Sequence, residues 1–355
     1  MKRILVYGMT DNFGGMEAYI HNIYQHLDKT KIQFDFVCDF PKMTLSDYYL
    51  ENGCKIYFIP PKNQGLFNSL WAMWKVIKEN NYSVIYFNIM NAGYVLNMLP
   101  AFLLRKKIIA HSHNADTDKK NLHYKLRGLL NFVAKVKLAC SNAAGLFMFG
   151  KKEQYYVINN AINLDKYSYS REKYIQLRHK LGWNDKKIIL YVARMNHQKN
   201  PFFALDIMKE LKLSIPNVVM AYVGTGELKE DIQQYISDNN LDNVVLLGLR
   251  NDVNELMIAA DIFILPSLFE GLPIVAVEAQ AAGLPILLSE NISKETKLVN
   301  SAHFLPINDI SIWVKEVEQI LVNSGNNRFS DGLALTKAGY DIKRVANNVQ
   351  QILVN

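Results

Sequence analysis

Cysteine is scarce in this chain of 355 residues: Cys38, Cys54 and Cys140 are odd in number and far apart. That spacing fits neither a disulfide framework nor a cysteine metal site, and it points to a reducing compartment. Long apolar runs are also missing. The greasiest stretch, Val95 to Leu104, is interrupted by Pro100 and stopped by Arg105-Lys106-Lys107, well short of the ~20 residues a spanning helix needs. The apolar run after Met1 is too short for a signal-peptide core and reads as a first β-strand. The expectation is a cytoplasmic protein without a membrane span, with peripheral attachment to the inner face of the cell membrane as an option. No Ser-His-Asp or Cys-His arrangement suggests a covalent nucleophile, and no segment resembles an RNA- or DNA-binding module, so no nucleic-acid partner is expected. Short repeats and low-complexity tracts are lacking as well.

What remains is an ordinary globular composition, half hydrophobic and 21% charged, at a length that suggests two domains. The net charge of +7 is unevenly spread: residues 1–160 carry 20 Lys and Arg against 11 Asp and Glu, a net of +9, while the remainder carries 20 against 22. Such asymmetry suggests an acidic partner for the first half, an anionic membrane surface being one; a solvated basic surface is the plainer reading of the same residues.

Short apolar runs alternate with longer helical patterns. Strands are expected at Arg3–Tyr7, Gln33–Val37, Lys55–Ile59, Ser83–Phe87, Lys107–Ala110 and Lys137–Ala139. A second series runs through Lys187–Val192, Asn217–Val223, Val244–Leu247, Ile262–Leu265 and Pro285–Leu288. Strands alternating with helices make parallel, doubly wound sheets. The series restarts near Lys187 after the polar segment Asn159 to Asp185, so the expected fold class is α/β with two Rossmann-like αβα domains, 1–160 and 161–355. Ligands of such sheets bind beyond the carboxyl ends of strands.

Three loops there carry chemistry. Lys187–Val192 runs into Ala193-Arg194-Met195-Asn196-His197-Gln198-Lys199-Asn200-Pro201. Asn200 reads as an N-cap and Pro201 as the first helical residue, placing Arg194 and Lys199 beside a helix entrance that favours anions. Val223-Gly224-Thr225-Gly226 ends a strand in Gly-x-Gly, which permits close backbone approach but lacks the third glycine of a dinucleotide site. The third loop is Pro266-Ser267-Leu268-Phe269-Glu270-Gly271-Leu272-Pro273, leading into a helix that carries Glu278. Glu278 lies about 8 Å into that helix. Carboxylates accept paired hydrogen bonds from vicinal hydroxyls, so Glu270 and Glu278 could hold two sugars on either side of a diphosphate.

Together these residues resemble the retaining glycosyltransferases of family four, of GT-B architecture. The resemblance rests on Gly14-Gly15, Arg194 with Lys199, Gly224-x-Gly226, and Glu270-x7-Glu278 within "EGLPIVAVEAQAAGLP". "HSHN" (His111 to Asn114) and "KLACS" (Lys137 to Ser141) are similar to the branch that makes capsular and exopolysaccharides. The resemblance implies two domains facing across a donor cleft, with the last helix a candidate to cross back to the first domain. Arg194 and Lys199 would neutralise the donor diphosphate, Glu278 would hold the ribose and Glu270 the transferred sugar. Gly14 and Gly15 would approach the donor with bare backbone, as would Gly224, Gly226, Gly271 and Leu272, and the backbone near Leu249-Arg250 would meet the base. His113 would orient sugar hydroxyls or the acceptor, with His111 as the fallback.

The resemblance also implies a nucleotide-sugar donor, most simply a UDP-sugar, a lipid-linked sugar acceptor, retention without a protein nucleophile, no cofactor and no metal. The family's interdomain Pro-Asn-Gly reads Asn159-Asn160-Ala161 here, and the aspartate that follows it is Asn163. Asp116-Thr117-Asp118 is the metal-binding pattern of an unrelated transferase fold. A sugar-nucleotide epimerase of the same fold and a noncatalytic sugar-nucleotide-binding subunit are the alternatives. Asn121 to Val136 reads as an amphipathic helix with a Leu122, Leu126, Leu129, Leu130, Val133 stripe, interrupted by His123, Lys125, Arg127 and Lys135.

Overall fold

The computed structural model describes residues 1–323, 328 and 330–355. They fall into two compact units, Met1–Ile162 with Asp341–Asn355, and Asn163–Tyr340.

The first unit is built on seven parallel strands: β1 (Lys2–Tyr7), β2 (Ile32–Cys38), β3 (Ile56–Phe58), β4 (Val84–Ile89), β5 (Lys107–Ser112), β6 (Val136–Ala139) and β7 (Tyr156–Val157). They lie in the order β3-β2-β1-β4-β5-β6-β7. Alternation along β1 assigns the two layers. Ile4 and Val6 point to a core shared with Ile20 and Ile23 of the helix Gly15–His26, whereas Leu5 and Tyr7 point to one shared with Met73, Met98 and Leu130. The C-terminal helix Ile342–Val354 belongs to the first of these layers, burying Val345, Val349 and Leu353 beside the helix Gly15–His26. Its entry is fixed where Ile342 N donates to Ile162 O at 3.0 Å.

The second unit carries β8 (Lys187–Val192), β9 (Val218–Val223), β10 (Val244–Gly248), β11 (Ile262–Leu265), β12 (Ile286–Ser289) and β13 (Ala302–Leu305). All are parallel, in the order β10-β9-β8-β11-β12-β13. Being covered on both faces, β8 and β11 are almost continuously apolar and buried, as parallel strands require. In each unit the strand order reverses beside the first strand, between β1 and β4 and between β8 and β11. Loops diverge at such a switch point and leave a crevice. In the second unit the two loops that diverge are 193–200 and 266–273.

Some local expectations need correction. Pro100 does not interrupt its segment. The helix Val95–Leu103 runs through it, Leu104 N donating to Pro100 O at 3.1 Å, and ends where Arg105 takes a φ of 53°. The amphipathic helix is Lys120–Val133, because residues 136–139 are needed for β6. Its His123 is no solvated cation: it is buried, with Nδ1 accepting from Ala92 N at 3.0 Å and Nε2 donating to Phe147 O at 3.0 Å. Burial, helped by the nearby Arg127 charge and opposed by the bond to Phe147, keeps the ring's pKa below the usual histidine range.

Candidate active site

The crevice of the second unit is held open by bonds between its two loops. After β8 the chain turns through a short 3-10 segment, His197–Lys199, capped by Asn196, whose side chain accepts from Lys199 N at 3.1 Å. Asn200 follows with a left-handed φ of 56°, and Pro201 opens the next helix. Asn200 does not cap that helix through its side chain. Its amide donates instead to Pro266 O across the crevice, at 3.2 Å. Leu268 N donates to Gln198 O at 2.8 Å, and Gln198 Nε2 donates to Phe269 O at 3.0 Å.

These bonds bring Lys199 against Glu270, and the ammonium and carboxylate form a largely buried ion pair. Ser267 Oγ donates to the same Glu270 oxygen at 3.2 Å. Arg194, two residues beyond β8, is exposed, and among the described residues nothing holds its guanidinium. One cation is thus pre-placed by a carboxylate, while a second is left without a counter-ion beside it. Such an arrangement suits an anion that arrives from solution.

Glycine at 224 and 226 has a structural cause in this unit. Gly224 has φ +142°, and a Cβ there would lie 2.0 Å from Ala193 O. At Gly226 a Cβ would lie 2.4 Å from Met195 O. The bare backbone lets the β9 loop close on the β8 loop, with Met195 N donating to Thr225 O at 3.0 Å. By contrast, a Cβ at Gly271 meets nothing within 4 Å, and Gly15 is likewise open. A pocket of about 490 Å³ lies beside Gly224, lined also by Thr225, Gly248 and Leu249. Arg250 is not part of it. Its guanidinium is engaged by both carboxylate oxygens of Asp252, at 2.8 and 2.6 Å.

Leu272 leads to Pro273, which is the N-cap rather than the first residue of the helix Ile274–Ala281. Glu278 lies on that helix. Burial pushes its carboxyl up to about 7, opposed by Tyr167, whose hydroxyl donates to Glu278 Oε1 at 2.7 Å. Tyr167 is a site residue that sequence reasoning missed; it sits in a short turn, Leu164–Tyr167, within the polar stretch read as a connector.

In the first unit, His113 follows β5 directly. Its Nε2 donates to Asn88 Oδ1 at 2.9 Å, and the orientation of that amide is set by Asn88 Nδ2 donating to Tyr7 O at 3.3 Å. The tautomer is thereby fixed with the lone pair on Nδ1, which is buried and has no partner among the described residues. Burial pushes the ring down to about 3, so His113 is neutral at physiological pH. His111 is fully buried within β5, its Nδ1 bonded to Tyr86 Oη at 2.6 Å. Burial, and His113 beside it, hold it well below the usual range. Gly14 caps the helix Gly15–His26, and its N–H is taken by Glu17 Oε2 at 3.1 Å. Asp116 pairs with Lys120 at 3.2 Å on the surface.

Comparison with known proteins identifies the family and the fold. Residues 13–166 match the family model described as Glycosyltransferase Family 4, and residues 174–330 match Glycosyl transferases group 1. EpsF of Bacillus subtilis (strain 168) is 29% identical, covering 97% of this chain and 94% of its own. The UDP-Gal:alpha-D-GlcNAc-diphosphoundecaprenol alpha-1,3-galactosyltransferase of Escherichia coli is 28% identical over 83% of this chain and 84% of its own. Among solved structures, Anabaena Alr3699/HepE in complex with UDP and glucose superposes with a TM-score of 0.77 at 19% identity, covering 99% of both chains. The chain belongs to glycosyltransferase family 4, and it is a glycosyltransferase with the two Rossmann-like domains of the GT-B fold.

Proposed function

We propose that this enzyme moves a hexosyl group from a nucleotide-diphosphate sugar, a UDP-sugar in the first instance, to a hydroxyl of a lipid-linked intermediate of capsular or exopolysaccharide assembly, with retention of anomeric configuration. The observation that carries this reading is the Lys199–Glu270 pair at the strand-order reversal, with Arg194 uncommitted beside it. Arg194 and Lys199 take the diphosphate and the charge that grows on it as the sugar departs. Glu270 accepts hydrogen bonds from the transferred sugar, Glu278 from the ribose, and the base lies in the pocket beside Leu249. His113 orients the hydroxyls of the transferred sugar or the acceptor.

The bond from the anomeric carbon to the diphosphate breaks with its electron pair on the leaving oxygen. The acceptor hydroxyl attacks from the same face, and its proton passes to that oxygen. No protein nucleophile, cofactor or divalent metal enters the step, because the two cations carry the charge a metal would otherwise offset. The names of the Escherichia coli relative and the Anabaena complex support the choice of donor and acceptor. Exposed basic residues within 1–160, Arg105 among them, then rest on the anionic membrane surface that carries the acceptor.

A screen of nucleotide release, with lipid-diphosphate-linked saccharides as acceptors, tests this reading. One UDP-sugar should give acceptor-dependent UDP release and a product of unchanged anomeric configuration. Release from no nucleotide sugar by folded protein, or an inverted product, would overturn it.

A further inference from the structure

Three helices, Leu66–Glu79, Val95–Leu103 and Lys120–Val133, pack side by side on one face of the seven-stranded sheet. Their inward residues, Met73, Ile77, Met98, Ala101, Leu130 and Val133, are buried in its core. Several of their outward residues are large and apolar, where a solvated helix carries polar ones. Phe67 is 85% exposed, Trp71 63%, Leu103 74% and Phe132 73%. Between the first two helices lies a groove of about 430 Å³, lined by Phe67, Leu70, Trp71, Trp74, Leu99 and Leu103. Phe102 and Phe132, with ring centroids 5.5 Å apart, continue the apolar face onto the third helix. Contiguous exposure of this kind marks a binding surface.

We propose that this face inserts into the anionic bilayer surface that carries the acceptor, an inference that rests on the lipid-linked acceptor assigned above. Its chemistry selects lipid. Lys75 Nζ lies 5.6 Å over the Trp71 ring and Lys78 Nζ 4.5 Å over Trp74. Indole rings at headgroup depth, with ammonium groups reaching anionic phosphates, are the pairing a membrane interface favours. Exposed Arg105, Lys125 and Lys135 extend the cationic rim, and Glu79, 3.9 Å from Lys75, supplies an acid within it. A two-fold contact with a second copy would instead set these lysines against their own counterparts. Lys107 takes no part, since its Nζ donates to Ile352 O at 2.8 Å. No helix among the described residues is long and apolar enough to cross a membrane, so the face lies in the surface rather than across it.

Tryptophan emission reads this directly, because Trp183 and Trp313 are only 8% and 0% exposed while Trp71 and Trp74 line the groove. Adding phosphatidylcholine vesicles that contain phosphatidylglycerol should shift emission to the blue, and brominated acyl chains should quench it. The double variant Phe67→Ser, Trp71→Ser should lower vesicle partitioning by on the order of 100-fold, about ten-fold for each buried side chain lost. The loss should persist in high salt. Melting temperature and nucleotide release with a short water-soluble acceptor should stay unchanged. Vesicle binding without a blue shift or quenching, or binding unchanged in the double variant, overturns the proposal. So does a wild-type dimer that the double variant dissolves. Vesicle insertion without any transfer to a lipid-linked acceptor would leave the face standing and sink the acceptor reading alone.

Discussion

Replacing Glu278 with glutamine isolates the cost of keeping one carboxylate ready for a ligand. Glutamine preserves the neutral shape and can still accept from Tyr167, so the variant differs mainly in having no charge to desolvate. In the folded enzyme the carboxyl titrates at about 7 rather than 4.5. At about 1.4 kcal/mol per pH unit, the difference amounts to about 3 kcal/mol. The folded value lies above the unfolded one. The neutral carboxyl's contribution to stability is therefore fully present below about pH 4.5 and is lost as pH rises through about 7. Glu278→Gln should exceed the wild type by less than about 1 kcal/mol near pH 5 and by about 3 kcal/mol above about pH 8. For a unit of this size that is roughly 6–12 °C in melting temperature. Donor affinity should move the other way. Ribose hydroxyls bind the ionised form, so a UDP-hexose, whose diphosphate has no proton to lose near neutrality, should bind the wild type about ten-fold more tightly per pH unit up to about 7, then level off. The variant should bind weakly at every pH. Calorimetric melting and titration across pH 5 to 8.5 would show this. Parallel stability profiles for the two proteins, or a flat donor affinity in the wild type, would refute the reasoning.

Glu270→Ala should lower turnover by at least ~100-fold, because its contacts must hold through the transition state; steady-state kinetics with the cognate donor would show it, and a change confined to KM would argue for uniform binding. Arg194→Ala and Lys199→Ala should each cost ~2–4 kcal/mol of transition-state stabilisation, as for other pre-placed groups facing developing charge, and activity should persist in excess EDTA. A strict metal requirement that Asp116→Ala abolishes would refute that assignment. Gly224→Ala should cost ~3 kcal/mol or more, since its Cβ would collide with Ala193 O at a positive φ. Gly271→Ala, facing open space, should melt within about 1 kcal/mol of wild type yet bind donor more weakly. Equal melting temperatures for these two variants would contradict the packing described.

The strands that frame the second crevice are readable residue by residue. Ile262–Leu265 begins and ends where its apolar run does, and Lys187–Val192 follows its own run to within one residue at each end, because a strand buried on both faces tolerates no polar interruption. Two of the edge strands, β7 and β13, escape the same reading. Tyr156–Val157 is only two residues long and exposed, and Ala302–Leu305 contains His303. Glu270 and Glu278 stand out from their local pattern, but what each touches does not. Tyr167 lies 111 residues before the carboxylate it bonds, and no periodicity reports a contact at that distance. Asn88 is invisible in the same way, being one polar residue at the end of an apolar strand until the fold sets it against His113. The pattern of Gly224 and Gly226 signals close backbone approach, but not that the neighbouring loop is one of the things approaching. Lys107, counted with the basic residues of the first half, donates to a main-chain carbonyl that no local pattern reveals, and so does His123.

The return of the C-terminal helix to the first sheet inverts the order in which the two units can mature. On the ribosome residues 1–162 emerge first, yet Ile4, Val6, Ile20 and Ile23 share a core with residues as late as Leu353. The unit made second is continuous in the chain, from Asn163 to Tyr340, and can close while the first still lacks one of its covering helices. Nascent protein therefore carries an uncovered greasy sheet face until the helix Ile342–Val354 has been made, the interval in which aggregation competes with folding. Removing the helix Ile342–Val354 would thus strike the unit formed by residues 1–162 and leave the intervening one whole.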